Sequence, residues 1–333
     1  LVKTMRASFY VLGPLLSRFK YSKVSLPGGC AWGPRPVDYH IKAFEQMGAK
    51  VTLKGGYILA EGGLSGTIIE FEKSSVGATG NVLMACVNLN EKVIIKNAAM
   101  EPEIVDLCHF LIKIGVKIDG VGTSELKIAG LDNKTESVNV EHTIIPDRIE
   151  AGTFLVASAI TKSDLKIVNV NPNHLTAVTD ALLASGCEIK TDETSISIFP
   201  GKSIKPVNII TDIYPGYPTD LQAQWVVLMS LADGRSMVQD TIYNDRFSHI
   251  PELNRLGAQI TLEENIAYIE GVKKLYGAEV MSTDIRASAA MILGGIAAFG
   301  ETVLSRIYHI DRGYENIEFK LSRIGVDIKR VDY

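Results

Sequence analysis

The chain has 333 residues, 46% of them hydrophobic, a net charge of −4 and interspersed acids and bases. That is enough apolar material for a sizeable core, and a length above about 250 residues favours two domains. The charge balance excludes the concentrated basic face a nucleic-acid surface needs, while leaving room for a local arginine cluster around an anionic substrate. The cysteines are Cys30, Cys86, Cys108 and Cys187, with no CxxC pair, which fits a reducing, cytoplasmic compartment. The histidines lack HxH or HxxxH spacing, so no metal site is expected. The longest apolar run, 287–299, is too short for a membrane span of about 20 residues, so no membrane insertion is expected.

From the N-terminus on, two sets of repeats interleave, each recurring about every 70 residues. One is a small-residue helix start after a polar loop: MRAS, VGAT, IEAGT, LQAQ and IRAS, centred on Ala7, Ala78, Ala151, Ala223 and Ala287. The helices that follow are apolar nearly all round, which predicts burial. The other is an amphipathic helix ending in glycine before an alternating strand: FEQMGAKV, LIKIGVKI, LLASGCEI, LNRLGAQI and LSRIGVDI. Gly48, Gly115, Gly186, Gly257 and Gly325 suit left-handed helix C-caps. Short strands are predicted at 51–53, 67–69, 195–198 and 267–269. Helix–strand alternation argues an α/β class. The polar stretch 131–142 reads as a linker, dividing the chain into domains at 1–144 and 145–333. The first repeat lacks the strand that should precede its buried helix, so a missing N-terminal repeat is expected.

The segment 27–38, PGGCAWGPRPVD, is too rich in Gly and Pro for a helix or strand. Cys30 on such a loop can reach a ligand, and Arg35 can offer a forked donor to phosphate or carboxylate. A plain turn with an incidental thiol fits the local sequence equally well. Arg6, Arg148 and Arg286 stand at buried-helix starts, as do Asp220 and Asp284. Aspartate there is usually an N-cap. Arginine is opposed by the helix dipole, so three in equivalent repeats point to a site for negative groups. On local sequence alone, Arg246 and Arg312 read as solvated charges. Phe154, Trp225 and Met291 read as core, and Cys86, Cys108 and Cys187 as inert packing.

Taken together, KTMRAS, LPGGCAWGPRPVDYHI, KSSVGAT, KNAAMEPEIVDL, PDRIEAGTFLVA, YPGYPTDLQAQ, DRFSHIPEL, TDIRAS and RIYHIDRGYE resemble the UDP-N-acetylglucosamine enolpyruvyl transferase family, in family order and over nearly the whole chain. The resemblance implies a fold of two inside-out α/β barrels, six repeats in all, against five visible here. The shikimate-type enolpyruvyl transferases share that fold but lack the cysteine loop, and are the alternative, along with a non-catalytic fragment or paralogue. Trp32 and Pro34 depart from the family pattern beside Cys30.

The implied reaction moves the enolpyruvyl group of phosphoenolpyruvate to the sugar 3-hydroxyl of UDP-N-acetylglucosamine, without a cofactor. Asp220 would be the base and Cys30 the acid. Arg35 and Arg312 would hold phosphate, with Arg246 and Arg286 gathering charge. Arg6, Arg35, Pro36, Val37, Asp38, Tyr39, Lys73, Ser74, Ser75, Val76, Asp220 and Ile242 would line the nucleotide-sugar site, and Asp284 would lie near the reacting atoms. Arginines gathered in one place repel one another, so an anionic substrate is expected to supply the counter-charge.

Overall fold

A computed structural model describes residues 6–26, 37–132 and 139–331, with side chains from Ser8 onward. Cys30, Arg35 and Pro36, residues 133–138 of the expected linker and the side chain of Arg6 lie outside the described residues. The chain groups into two compact units, Leu1–Ile145 and Pro146–Tyr333.

One pattern recurs in both units. In the first, strand Ile68–Glu70 leads to helix Val76–Cys86, strand Val93–Lys96, helix Pro102–Lys113 and the hairpin Lys117–Asp119/Glu125–Ala129. The first two strands pair in parallel, and Glu125–Ala129 sits antiparallel between Val93–Lys96 and Lys117–Asp119. The second unit repeats this order and these directions with Ile209–Thr211, Arg235–Asp240, Ile266–Glu270 and Gln259–Glu263. A parallel pair needs a crossover, and the buried helix provides it. Two three-stranded antiparallel sheets keep the last three strands of the pattern. Their orders are Tyr21–Ser25, Tyr57–Glu61, Lys50–Lys54 and Leu165–Val168, Ser195–Phe199, Glu188–Thr191. A fifth copy keeps the parallel pair Glu279–Met281/Val303–Ser305 around helix Ile285–Ala297.

The division of helices into buried and outer follows the sequence pattern. Every residue of helix Gln222–Met229 is buried, and its Trp225 indole donates to the Val207 carbonyl at 3.3 Å. Helix Asp38–Gln46 instead buries one stripe, His40, Ala43 and Phe44, at the spacing of a single helix face. All five repeat glycines have positive φ, between 93° and 104°, the left-handed turn that carries the first four outer helices into their strands; the strand expected after Gly325 is not formed over 326–331. The first buried helix starts as a 3-10 turn, Arg6–Val11, and becomes α-helical over Leu12–Phe19. Pro14 is tolerated there because a first-turn N–H has no intrahelical partner. Each unit has its own apolar core. A smaller cluster of Ala289, Ile310, Tyr314, Ile317 and Leu321 ties the last helix to Ile285–Ala297. Among the described residues no helix is long and apolar enough to cross a membrane.

Candidate functional site

In the second unit the charged residues converge on the 3-10 turn Thr219–Leu221, which leads into the buried helix Gln222–Met229. Arg246 Nη2 donates to Asp220 Oδ1 at 2.8 Å, and Arg286 Nε donates to the same oxygen at 3.0 Å. Both guanidiniums are largely buried, at 16% and 18% exposure, whereas the Asp220 side chain is 36% exposed. Burial pushes the Asp220 carboxyl up, but the Arg286 and Arg246 charges outweigh it and hold the group well below the usual carboxylate range. Burial works against the Arg286 charge, yet Asp220 raises its pKa above the ordinary value. The arginines expected to await an anionic ligand are therefore already engaged by Asp220.

Asp284 plays a different part. Its Oδ1 accepts from the Arg286 and Ala287 amides at 2.8 and 3.2 Å, capping helix Ile285–Ala297. Asp147 caps the equivalent helix Arg148–Thr161 in the same way, and Ser75 caps Val76–Cys86. The cap's negative charge offsets the dipole penalty of an adjacent arginine. Asp220, by contrast, caps nothing: helix Gln222–Met229 has no side-chain cap, which leaves the carboxylate for the arginines. Arg148, also singled out from the sequence, lies over the Tyr214 ring at 5.7 Å.

Behind the arginines stands a layer of neutral groups. Arg286 lies 6.0 Å from the Tyr314 ring centroid, and the Tyr314 hydroxyl pairs with Thr153 Oγ1 at 2.8 Å. Gln224 Nε2 reaches Thr153, Tyr314 and the Asp220 carbonyl at 3.2, 3.3 and 3.2 Å. His249 is 1% exposed. Burial pushes its imidazole down to about 4, with Asp284 opposing and Arg246 assisting. Arg312 ends the 3-10 helix Ile307–Arg312, and the next residue, Gly313, lies against Ile285 so closely that a Cβ would sit 3.1 Å from it. The segment bearing Arg312 is thus held at the N-terminus of the Arg286 helix. Ile242 belongs to the loop between Arg235–Asp240 and Arg246, its amide bonded to Asp240.

In the first unit, three expected segments meet. The Tyr10 hydroxyl, in the turn that begins at Arg6, donates to the Val76 carbonyl at 3.3 Å. Tyr39 meets Phe71 edge-on at 6.0 Å, and Lys42 pairs with Glu72 at 3.7 Å. Gly77 leaves just enough room for His40, whose Nε2 would stand 3.0 Å from an added Cβ. The start of helix Asp38–Gln46 therefore packs beside the ends of the segment 71–77, which carries Lys73, Ser74, Ser75 and Val76; Val37 precedes that helix, and Asp38 and Tyr39 begin it. Asp38 and Lys73 are exposed, and the other five are half-buried. His40 is anchored by Asn81, whose Nδ2 lies 3.1 Å from Nδ1 while its Oδ1 accepts from the Gly13 amide.

The three described cysteines are poor nucleophiles. Burial pushes the Cys86 thiol up to about 12 and Cys108 to about 11, and it also raises Cys187. Among the described residues no cluster of three or more His, Cys, Asp or Glu is arranged to hold a metal. Thr219, Asp240, His249, Tyr314 and Gln224 were not singled out from the sequence. Each is an isolated polar residue in an apolar or turn context, and only its three-dimensional partners distinguish it.

Comparison with known proteins adds to this geometry. The family model described as EPSP synthase (3-phosphoshikimate 1-carboxyvinyltransferase) matches residues 1–321. A protein of Chloroherpeton thalassium named UDP-N-acetylglucosamine 1-carboxyvinyltransferase is 53% identical over 336 residues, covering 100% of this chain and 78% of that one. A Sulfurovum protein of the same name is 51% identical over 332 residues, covering 99% and 78%. Among solved structures, the enolpyruvyl transferase NikO of Streptomyces tendae superposes with a TM-score of 0.86 at 22% identity, over 98% of this chain and 77% of its own. EPSP synthase of Acinetobacter baumannii superposes at 0.70 and 19% identity, over 97% and 78%. At those identities the two structures speak for the fold alone.

Proposed function

The chain belongs to the EPSP synthase family of enolpyruvyl transferases, and from that premise we propose that it transfers the enolpyruvyl group of phosphoenolpyruvate to the 3-hydroxyl of UDP-N-acetylglucosamine, the first committed step of peptidoglycan synthesis. The observation that carries this reading is identity of 53% along the entire chain to a protein named for that activity. A cytoplasmic setting, where both substrates are made, is part of the same proposal.

In this reading the sugar hydroxyl oxygen bonds to C2 of phosphoenolpyruvate. Asp220 takes the hydroxyl proton, and Cys30 delivers one to C3. The tetrahedral adduct then loses a C3 proton, the C2–O bond to phosphate breaks, and inorganic phosphate leaves. A thiol with a reference pKa of about 8.5 is mostly protonated at neutral pH and can donate. Arg35 and Arg312 take the phosphate, Arg246 and Arg286 gather negative charge, and Asp284 stands near the reacting atoms. Arg6, Pro36, Val37, Asp38, Tyr39, Lys73, Ser74, Ser75, Val76 and Ile242 line the nucleotide-sugar site.

The two guanidiniums fix the direction in which the Asp220 carboxylate is presented.

The test is phosphate release by the full-length protein. Release from phosphoenolpyruvate should require UDP-N-acetylglucosamine; release driven by shikimate 3-phosphate would move the assignment to the shikimate-type enzymes. The thiol role has its own test. Fosfomycin carries a phosphonate beside an epoxide, so docking on Arg35 and Arg312 would bring the electrophile to Cys30. With nucleotide sugar present, one adduct should form, and peptide mass mapping should find it on Cys30. An adduct on Cys86, Cys108 or Cys187 would contradict that role.

A further inference from the structure

Asp240 is fully buried and lies outside the set of residues so far given a role. It ends strand Arg235–Asp240, in register with Thr211 of the parallel strand Ile209–Thr211. Its backbone is pinned on both sides by Asn265, which accepts from the Asp240 amide at 3.0 Å and donates to its carbonyl at 2.9 Å. The carboxylate accepts four hydrogen bonds. Oδ1 takes the Thr211 hydroxyl and the Ile242 and Tyr243 amides, each at 2.9 Å. Oδ2 takes the Thr219 hydroxyl at 2.7 Å.

That last bond has a directional consequence. An ionised carboxylate can only accept, so the Thr219 hydroxyl must donate its single proton to Asp240. Its oxygen is then left to accept, and Arg246 Nη1 donates to it at 3.0 Å. The other arm of the same guanidinium, Nη2, is thereby aimed at Asp220 Oδ1. The order of donors runs Arg246 to Thr219 to Asp240. The same carboxylate also fixes the Ile242–Tyr243 loop, whose Tyr243 ring lies 5.3 Å beneath the Arg246 guanidinium.

We propose that Asp240 is a positioning residue for enolpyruvyl transfer: through the Thr219 hydroxyl it sets the direction of the Arg246 fork on Asp220, and through its other oxygen it holds the loop that bears Ile242. The proposal rests on the function assigned above and adds a residue pair that governs how the base is presented. A plain fold-stabilising role would lower stability on loss of the hydroxyl but leave kcat of the folded enzyme unchanged.

Four variants of the full-length protein decide it: Thr219→Val, Thr219→Ser, Asp240→Asn and the double Thr219→Val/Asp240→Asn. Valine keeps the shape and removes the hydroxyl; serine keeps the hydroxyl. In Asp240→Asn, a single amide oxygen can still serve Thr211 and the two loop amides. The amide nitrogen then faces Thr219 and donates to the oxygen that Arg246 needs.

Thr219→Val should lower kcat about tenfold, the scale of one hydrogen bond to a charged group, with UDP-N-acetylglucosamine binding within about threefold of wild type. Thr219→Ser should stay within about threefold in both. Asp240→Asn should show the same loss of kcat, and the double variant should fall no further than either single change, because all act on one chain of bonds. A Thr219→Val enzyme with wild-type kcat would overturn the proposal, as would a double variant in which the losses multiply. If Asp240→Asn does not fold, the valine–serine contrast decides alone. A wild-type protein that transfers no enolpyruvyl group would instead remove the underlying function, an outcome separate from all of these.

Discussion

Asp220→Asn is expected to cut turnover by about 10²–10⁴-fold, the usual worth of a general base, while nucleotide-sugar binding stays near wild type. The change is nearly isosteric, so the turn Thr219–Leu221 and its hydrogen bonds can persist. It also removes the carboxylate that, among the described residues, pairs with both Arg246 and Arg286. Two guanidiniums then lack their resting counter-charge, and an anionic substrate no longer competes with Asp220 for them. Phosphoenolpyruvate should therefore bind at least as tightly to the variant as to wild type while reacting far more slowly. Steady-state kinetics together with calorimetric binding separate the two effects. A variant within about threefold of wild-type turnover would leave Asp220 as a counter-ion and move the proton acceptor elsewhere.

The resting state of Asp220 also bears on why the site is built from opposed charges. A general base works best with a pKa near the working pH, and Asp220 stands well below the carboxylate range. Its environment favours the charged form. The same ion pairs hold Arg246 and Arg286 on one carboxylate oxygen.

Much of this architecture is legible in the sequence because it is local. The five repeat glycines need positive φ, and only glycine adopts it cheaply, so the outer-helix ends stand out and are found at all five positions. Burial of the small-residue helices follows from their having no polar face. The site is less legible because its bonds are long-range. Asp220 meets Arg246 and Arg286 across 26 and 66 residues, and no spacing rule connects them. Aspartate before a buried helix looks alike in three of the repeats, yet Asp147 and Asp284 are caps while Asp220 is an ion-pair partner. The difference lies in whether arginines arrive from elsewhere, here from the loop at Arg246 and from helix Ile285–Ala297. Asp240 gives no signal at all in MVQDTIYNDRF, because a buried carboxylate at a strand end looks like any polar residue entering a loop. Arg246, read locally as a solvated charge, is buried against Thr219 and Asp220.

His249 should make the second unit acid-sensitive in a window set by its own pKa. The imidazole is buried beside Arg246 and Asp284, and burial leads the shift that takes it down to about 4 from an ordinary 6.5. Asp284 pulls in the opposite direction and Arg246 in the same one. Among the described residues its Nε2 has no hydrogen-bond partner, so nothing there rewards protonation. The sign follows from which state takes up the proton. Above pH 6.5 both the native and the unfolded imidazole are neutral, and this contribution to stability is fully present. As pH falls from 6.5 toward 4, the unfolded chain binds a proton that the native state refuses, and stability drops. Below about 4 both states are protonated and the loss levels off. Such a shift amounts to on the order of 3 kcal/mol. His249→Gln, close in volume and without a titrating group, should lack this component. Urea unfolding followed by Trp225 fluorescence, in a Trp32→Phe background so that the signal reports the second unit, would compare the two proteins. Carboxylates titrate in both alike, so the quantity to follow is the difference in stability between them. That difference should be flat above pH 6.5, shift against wild type by on the order of 3 kcal/mol between 6.5 and 4, and then level off. Parallel curves across the window would mean that the native imidazole takes up its proton as readily as the unfolded one, and that the Arg246–Asp284 surroundings do not hold it neutral.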